Sequence, residues 1–294
     1  MKNIFKSNLK FILVAALMAT FAAGCEDLPP TEYVEHTYVE AFLIVGEPIG
    51  NIRVVRSQPL DVEYSLENAF IHDADVRLIK GEEEIALSYR NEGMPEYYDP
   101  QGRAVEAGAE YRLEINLADG KRITGRTLTP TTFNWEVPPK QYMHFPQDTL
   151  KMPEVDSVAI EWEPAQHFNF YLLTVKCLDT LEYGKYLDPP TAEMNRRAYT
   201  IFRNMDNFYD EPAYWTIMGN NRTATVWNAF KWFGPHEIAI FRPDYNMLRW
   251  FLQYQNMQGE PYNDMLGSVE GDGIGCFGSA SVVRDTSFVY KNRP

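Results

Sequence analysis

The histidines at positions 36, 72, 144, 167 and 236 are the natural places to look for general-base or metal chemistry, and their spacing supports neither. No two sit four apart around a glutamate, as a zinc site on one helix face requires. No Gly-x-Ser-x-Gly, phosphate-binding loop or Gly-x-Gly-x-x-Gly falls on an expected strand-to-helix turn. Any two of its 41 acidic residues could be imagined as a glycosidase pair, so abundance alone supports none. Glu82, Glu83 and Glu84 read as a charged turn. Asp264, Glu270 and Asp272 offer hard oxygens beside glycines but without the one-three-five spacing of a calcium loop. Cys177 and Cys276 cannot complete a structural zinc site by themselves, and they read as two buried thiols more readily than as a disulfide. The expectation is a chain without catalytic residues, metal or cofactor.

Two other groups of residues suggest chemistry of a different kind. Between positions 199 and 254 stand 15 aromatic residues, including four of the six tryptophans. Tryptophan and tyrosine give large, rigid contact areas with a polar edge, which suits stacking on a sugar ring or anchoring a protein partner. Tyr209, Trp215 and Trp232 are the candidate binding residues of this cluster, beside Trp227 and Trp250. The competing use of the same side chains is to fill a core.

The second group is at the N-terminus. Lys2, Lys6 and Lys10 precede an apolar run from Phe11 to Phe21, with no acidic residue before Glu26. A bilayer span needs about 20 apolar residues, so this shorter run reads as the core of a signal peptide over 1–24. Ala22-Ala23-Gly24-Cys25 then resembles the bacterial lipobox, with Ala22 where leucine is usual. The Cys25 thiol would receive diacylglycerol and become the first residue of the mature chain, attached to the membrane by two or three acyl chains. Glu26 and Asp27 follow directly and resemble an export signal for surface lipoproteins; 25–36 reads as a tether.

Charge narrows the partners. The whole chain carries −14, and losing the three signal lysines leaves the mature part about three charges more negative. Nucleic-acid binding needs a Lys/Arg face to displace counterions, so nucleic acid is excluded as a partner.

The elements that must position these groups are strands. Tyr111, Leu113, Ile115 and Leu117 alternate with polar residues, as do Val158, Ile160 and Trp162, which is the period of half-buried strands. Further strands are expected at 37–45, 51–57, 74–80, 84–89, 121–128, 168–178, 222–229, 236–242 and 274–290. Ala118-Asp119-Gly120 is a turn signal, and the segment before Tyr111 suits a tyrosine corner. Pro130 marks a boundary. The expected fold class is mainly β: a transthyretin- or immunoglobulin-like β-sandwich over 37–130, then a fibronectin-III-like β-sandwich over 131–294. The second would have Trp162 as its core plug and carry an aromatic-rich insertion at about 180–260. Pro243 would open a helix over 243–256 with Met247, Leu248, Phe251 and Tyr254 on one stripe. The Gly-rich 271–278 reads as close backbone packing before the last strand.

Several stretches resemble a family of Bacteroidota lipoproteins defined by a domain of unknown function and often encoded beside TonB-dependent receptors. They are 38–57 (YVEAFLIVGEPIGNIRVVRS), 73–78 (DADVRL), the 108–113 turn and the closing 271–279 (GDGIGCFGS). The resemblance implies an outer-membrane lipoprotein at the cell surface, a non-catalytic binding or accessory subunit of a TonB-dependent transport receptor. A structural, fimbrial-type surface subunit is the alternative, and a hydrolase the third reading.

Overall fold

The computed structural model describes residues 33–59, 61–145, 158–165, 170–195, 212–256 and 267–291. Residues 36–294 form one compact unit, separate from 1–35. Of the shorter unit, only residues 33–35 are described, and they are exposed and without regular structure. The expected signal peptide, Cys25 and most of the tether therefore lie outside the described residues.

The fold is mainly β and sandwich-like. In chain order the first strands are β1 (Thr37–Ile44), β2 (Ile52–Arg56), β3 (Asp75–Lys80), β4 (Glu83–Ala86), β5 (Ser88–Arg90) and β6 (Glu96–Tyr98). They are followed by β7 (Glu110–Asn116), β8 (Arg122–Leu128), β9 (Trp135–Val137), β10 (Tyr142–His144), β11 (Ile160–Trp162) and β12 (Phe170–Cys177). The last are β13 (Ala213–Met218), β14 (Arg222–Thr223), β15 (Gly234–Pro243), β16 (Val269–Gly271) and β17 (Ile274–Tyr290). Two helices accompany them among the described residues, α1 (Leu66–Ala69) and α2 (Tyr245–Asn256).

Alternation does what the sequence suggested. In β7, Tyr111, Leu113 and Ile115 are buried while Arg112, Glu114 and Asn116 face outward by comparison. The Tyr111 ring is buried and its hydroxyl accepts a hydrogen bond from the Glu106 amide at 3.0 Å, so the tyrosine corner is formed. Burial without that amide partner would leave a polar group unsatisfied. The expected strand 84–89 is divided instead: β4 belongs to the five-stranded sheet β16-β8-β7-β3-β4, and β5 to the nine-stranded sheet. The chain changes sheet at Leu87, whose amide still bonds to the Val76 carbonyl.

Two cores result. The first joins Val39, Ala41, Ile52, Leu78, Tyr111, Leu113 and Ile123 between the five-stranded sheet and one half of the large sheet. The second packs Phe133, Trp162, Tyr171, Leu173, Trp227, Phe230 and Ile240 between the other half and the small sheet β14-β11-β9. Trp162 is fully buried and meets Tyr171 edge-on at 5.1 Å.

The division near residue 130 is thus one of cores, not of sheets. The large sheet runs β13-β12-β15-β17-β1-β2-β6-β5 through both. Its spine is β17, which pairs in parallel with β1 from Ile274 to Ala280 and antiparallel with β15 from Ala280 to Val289. The segment expected to close the second sandwich therefore also completes the first, where Phe277 is fully buried. Glycine is what lets it do so. A Cβ at Gly275, which has φ +142°, would strike the Val39 carbonyl, and one at Gly278 would lie 2.8 Å from the Met247 amide of α2. These positions give the expected close packing a definite meaning: backbone against β1, then helix against strand.

Two local expectations are corrected. Of 222–229 only Arg222–Thr223 is strand, and Trp227–Ala229 forms a 3-10 turn. Trp227, Ala229 and Phe230 are all buried, which strict alternation cannot achieve for neighbours. Pro243 ends β15 and does not open the helix; Asp244 caps it, accepting the Met247 amide at 2.9 Å. Cys177 and Cys276 are buried on β12 and β17 and are not joined to each other.

Candidate functional site

The aromatic cluster is divided by the fold. Trp227 is buried edge-on against Phe145 at 5.6 Å. Trp215, on β13, is half-buried against the second core, where it borders a void of about 10 Å³ with Ile160, Leu173 and Phe230. Its first role is therefore packing. Trp232 is half-buried just before β15, and Trp250 is half-buried on α2. Tyr209 lies outside the described residues. Among the described residues of this region, the exposed aromatics are Tyr214 and Tyr245, which the sequence did not single out.

Tyr245 borders a cleft of about 610 Å³ formed where the two cores meet. One wall is the end of β8 and the chain after it, from Arg126 to Thr131; the other is the β15–α2 junction, from Arg242 to Asn246. Both walls follow from local rules. Proline at 130 and 243 cannot extend a ladder, so β8 and β15 stop there and leave their side chains facing across the gap.

Hydrogen bonds hold the second wall rigidly. Asp244 Oδ1 accepts from the amides of Met247 and Ser279 at 2.9 and 3.1 Å, and Oδ2 accepts from the Thr127 hydroxyl at 2.7 Å. The Thr127 and Ser279 hydroxyls are 2.8 Å apart. Asn246 Nδ2 donates to the carbonyls of Arg126 and Phe277, at 2.6 and 3.0 Å. Burial pushes the Asp244 carboxyl above its ordinary range, against the pull of these donors. The carboxylate is occupied with capping α2 and holding β8 and β17 beside it.

Arg242 is the unusual member. It is only 8 % exposed and lies over the Phe133 ring, 4.6 Å from its centroid. Its Nη2 donates to the carbonyl and hydroxyl of Thr131 and to the Thr132 carbonyl. Desolvation lowers its pKa, since a buried guanidinium loses hydration. No described carboxylate forms an ion pair with it. The signal was present in the sequence: Arg242 continues the inward parity of His236, Ile238 and Ile240 along β15. A charge at the next inward position of such a strand is either paired or functional.

Among the described residues no group of three His, Cys, Asp or Glu side chains could hold a metal ion. Asp272, one of the calcium candidates, accepts the Arg122 amide through Oδ2 at 2.9 Å and joins the last loop to β8. Asp264 lies outside the described residues. Glu83 and Glu84 form ion pairs around the turn, with Lys80 and Arg103 and with Arg77.

Residues 27–232 match the family described as a domain of unknown function, DUF4249. The chain belongs to the DUF4249 family. In this DUF4249 protein the match covers the first core apart from its β17 residue Phe277 and much of the second, and it stops just before β15. The cleft therefore has one wall within the matched span and the Arg242 wall beyond it. No curated protein matches the chain.

Proposed function

We propose that this DUF4249 protein is an outer-membrane lipoprotein, held at the cell surface by acyl chains on Cys25, that acts as a non-catalytic binding subunit beside a TonB-dependent transport receptor. The observation that carries the reading is the order of residues at the N-terminus. Three lysines, a short apolar run, two alanines and a glycine lead to Cys25, and the folded unit begins only at His36. That leaves a short acidic, proline-containing tether between anchor and sandwich. No helix among the described residues is long and apolar enough to cross a membrane, so attachment through lipid accounts for membrane association without a span.

Binding is favoured over catalysis because the carboxylate and the amide on the α2 side of the cleft are occupied structurally. Asp244 caps a helix, Asn246 bridges two carbonyls, and Leu128 and Tyr245 are exposed large apolar groups of the lining. Such a mixed apolar and polar concavity suits recognition.

The anchor is tested by labelling cells with an alkyne analogue of palmitate. The wild-type protein is expected to take up label and sediment with membranes, and Cys25→Ser to lose both. Equal labelling of the Cys25→Ser variant would refute lipidation at this residue.

A further inference from the structure

We propose that the cleft beside Arg242 binds an organic carboxylate that carries an apolar body. The inference extends the binding role proposed above and is independent of the anchor. Arg242 is more than nine-tenths buried, yet every hydrogen bond it makes within the described residues leaves from Nη2. Nε and Nη1 make none to any described residue. Arg242 lines the cleft, and a ligand held there is the partner its unused donors can meet.

A buried cation is normally matched by a carboxylate, because neutral dipoles replace only part of its lost hydration. Here the compensation is the Phe133 face and the carbonyls of Thr131 and Thr132. The nearby acids are committed elsewhere. Asp244 accepts three hydrogen bonds, and Glu163 accepts the Asn134 amide at 2.9 Å. An incoming carboxylate would add to the distant attraction of Glu163 and accept a single charge-assisted hydrogen bond from Nε or Nη1, which diverge from each other.

The rest of the cleft sets the remainder of the ligand. Leu128 and Tyr245 are 62 % and 61 % exposed, and Pro130 and Pro243 add apolar surface. Arg126 is the other cation lining the space and Glu110 opposes it, so a polyanion such as a phosphate ester finds too little positive charge. The strongly negative chain repels such ligands further. A volume of about 610 Å³ suits a small molecule with one ring or a branched chain.

The probe is 3-phenylpropionate, titrated calorimetrically into the purified full-length protein against 3-phenylpropanamide, its neutral isostere, and inorganic phosphate. The acid is expected to bind at least tenfold more tightly than the amide, and phosphate not at all. Arg242→Gln should abolish the preference for the acid. Should that variant fold poorly, Tyr245→Ala, at an exposed rim position, should weaken the acid several-fold with an unchanged melting curve. A dipeptide ending in a free Phe carboxylate, compared with its amide, separates the sources: tighter binding than phenylpropionate points to a peptide terminus, equal or weaker binding to a small acid. Equal affinity for acid and amide, tighter binding of phosphate, or an acid preference that survives in Arg242→Gln would overturn the proposal. Failure of the anchor or of receptor association would leave this site standing, and failure of the acid preference would remove only this site.

Discussion

Phe277→Ala is expected to lower the unfolding free energy by about 3–5 kcal/mol, the usual cost of emptying a fully buried phenylalanine site. Phe277 is 0 % exposed and belongs to the core made otherwise by residues 39–123, although it lies 17 residues from the end of the chain. Its neighbours cannot collapse freely into the space. The Gly125 backbone approaches so closely that a Cβ there would lie 3.1 Å from the Phe277 side chain, and the Phe277 amide and carbonyl are both bonded to Ser268 Oγ, at 2.8 and 3.0 Å. Urea unfolding should show a shifted midpoint with an unchanged slope. A loss below about 1 kcal/mol, well under the range for such sites, would show that β17 does not complete the first core.

The second large effect is on acid stability, and His236 causes it. The ring is 1 % exposed, packs edge-on against Phe230 at 5.1 Å, and donates from Nδ1 to the Gly234 carbonyl at 2.9 Å. Nε2 is buried with no hydrogen-bond partner among the described residues. Burial therefore holds the folded imidazole neutral down to about pH 4, against an ordinary value of 6.5. Between those two values the unfolded chain binds a proton that the folded chain refuses, so stability falls as pH drops from about 6.5 towards 4. Above that window the contribution is complete and flat. The gap corresponds to roughly 3 kcal/mol.

Asp244 works in the opposite sense, since a carboxyl whose pKa is raised on folding favours the folded state as it protonates. Asp99, held at about 2 by Arg103 and two backbone amides, loses its contribution only at lower pH. The His236 component is isolated by comparing the wild type with His236→Asn, whose amide can keep the bond to Gly234. The variant should unfold with a flatter pH profile between 4 and 6.5; parallel profiles would contradict the assignment.

Much of the fold was legible because short-range alternation determines strands. Tyr111, Leu113 and Ile115 announced both the strand and its buried face, and 274–290 was delimited to the residue. The partners of 274–290 were not legible. Alternation says that a segment is a strand but not which edge it meets, and the parallel pairing of Tyr38 with Ile274 joins opposite ends of the chain. The glycines at 275 and 278 hinted at close approach without naming Val39 or Met247 as what approaches.

The site was less legible for a related reason. Aromatic density drew attention to Trp215 and Trp232, but density cannot separate core from surface, and Trp215 packs against the second core. Arg242 carried the better signal, a charge in register with buried residues. Its meaning depends on Thr131 and Phe133, which lie more than 100 residues away in sequence. Tyr209 and Cys25, both outside the described residues, stand on the sequence alone.

The measurement that tests the proposed role most directly is affinity purification of the tagged full-length protein from cross-linked native outer membranes. A large β-barrel receptor should co-elute in stoichiometric amount with the wild type and be lost with Cys25→Ser. Recovery of the chain alone, or of a ladder of its own copies, would contradict a transport-accessory role and favour a structural surface subunit.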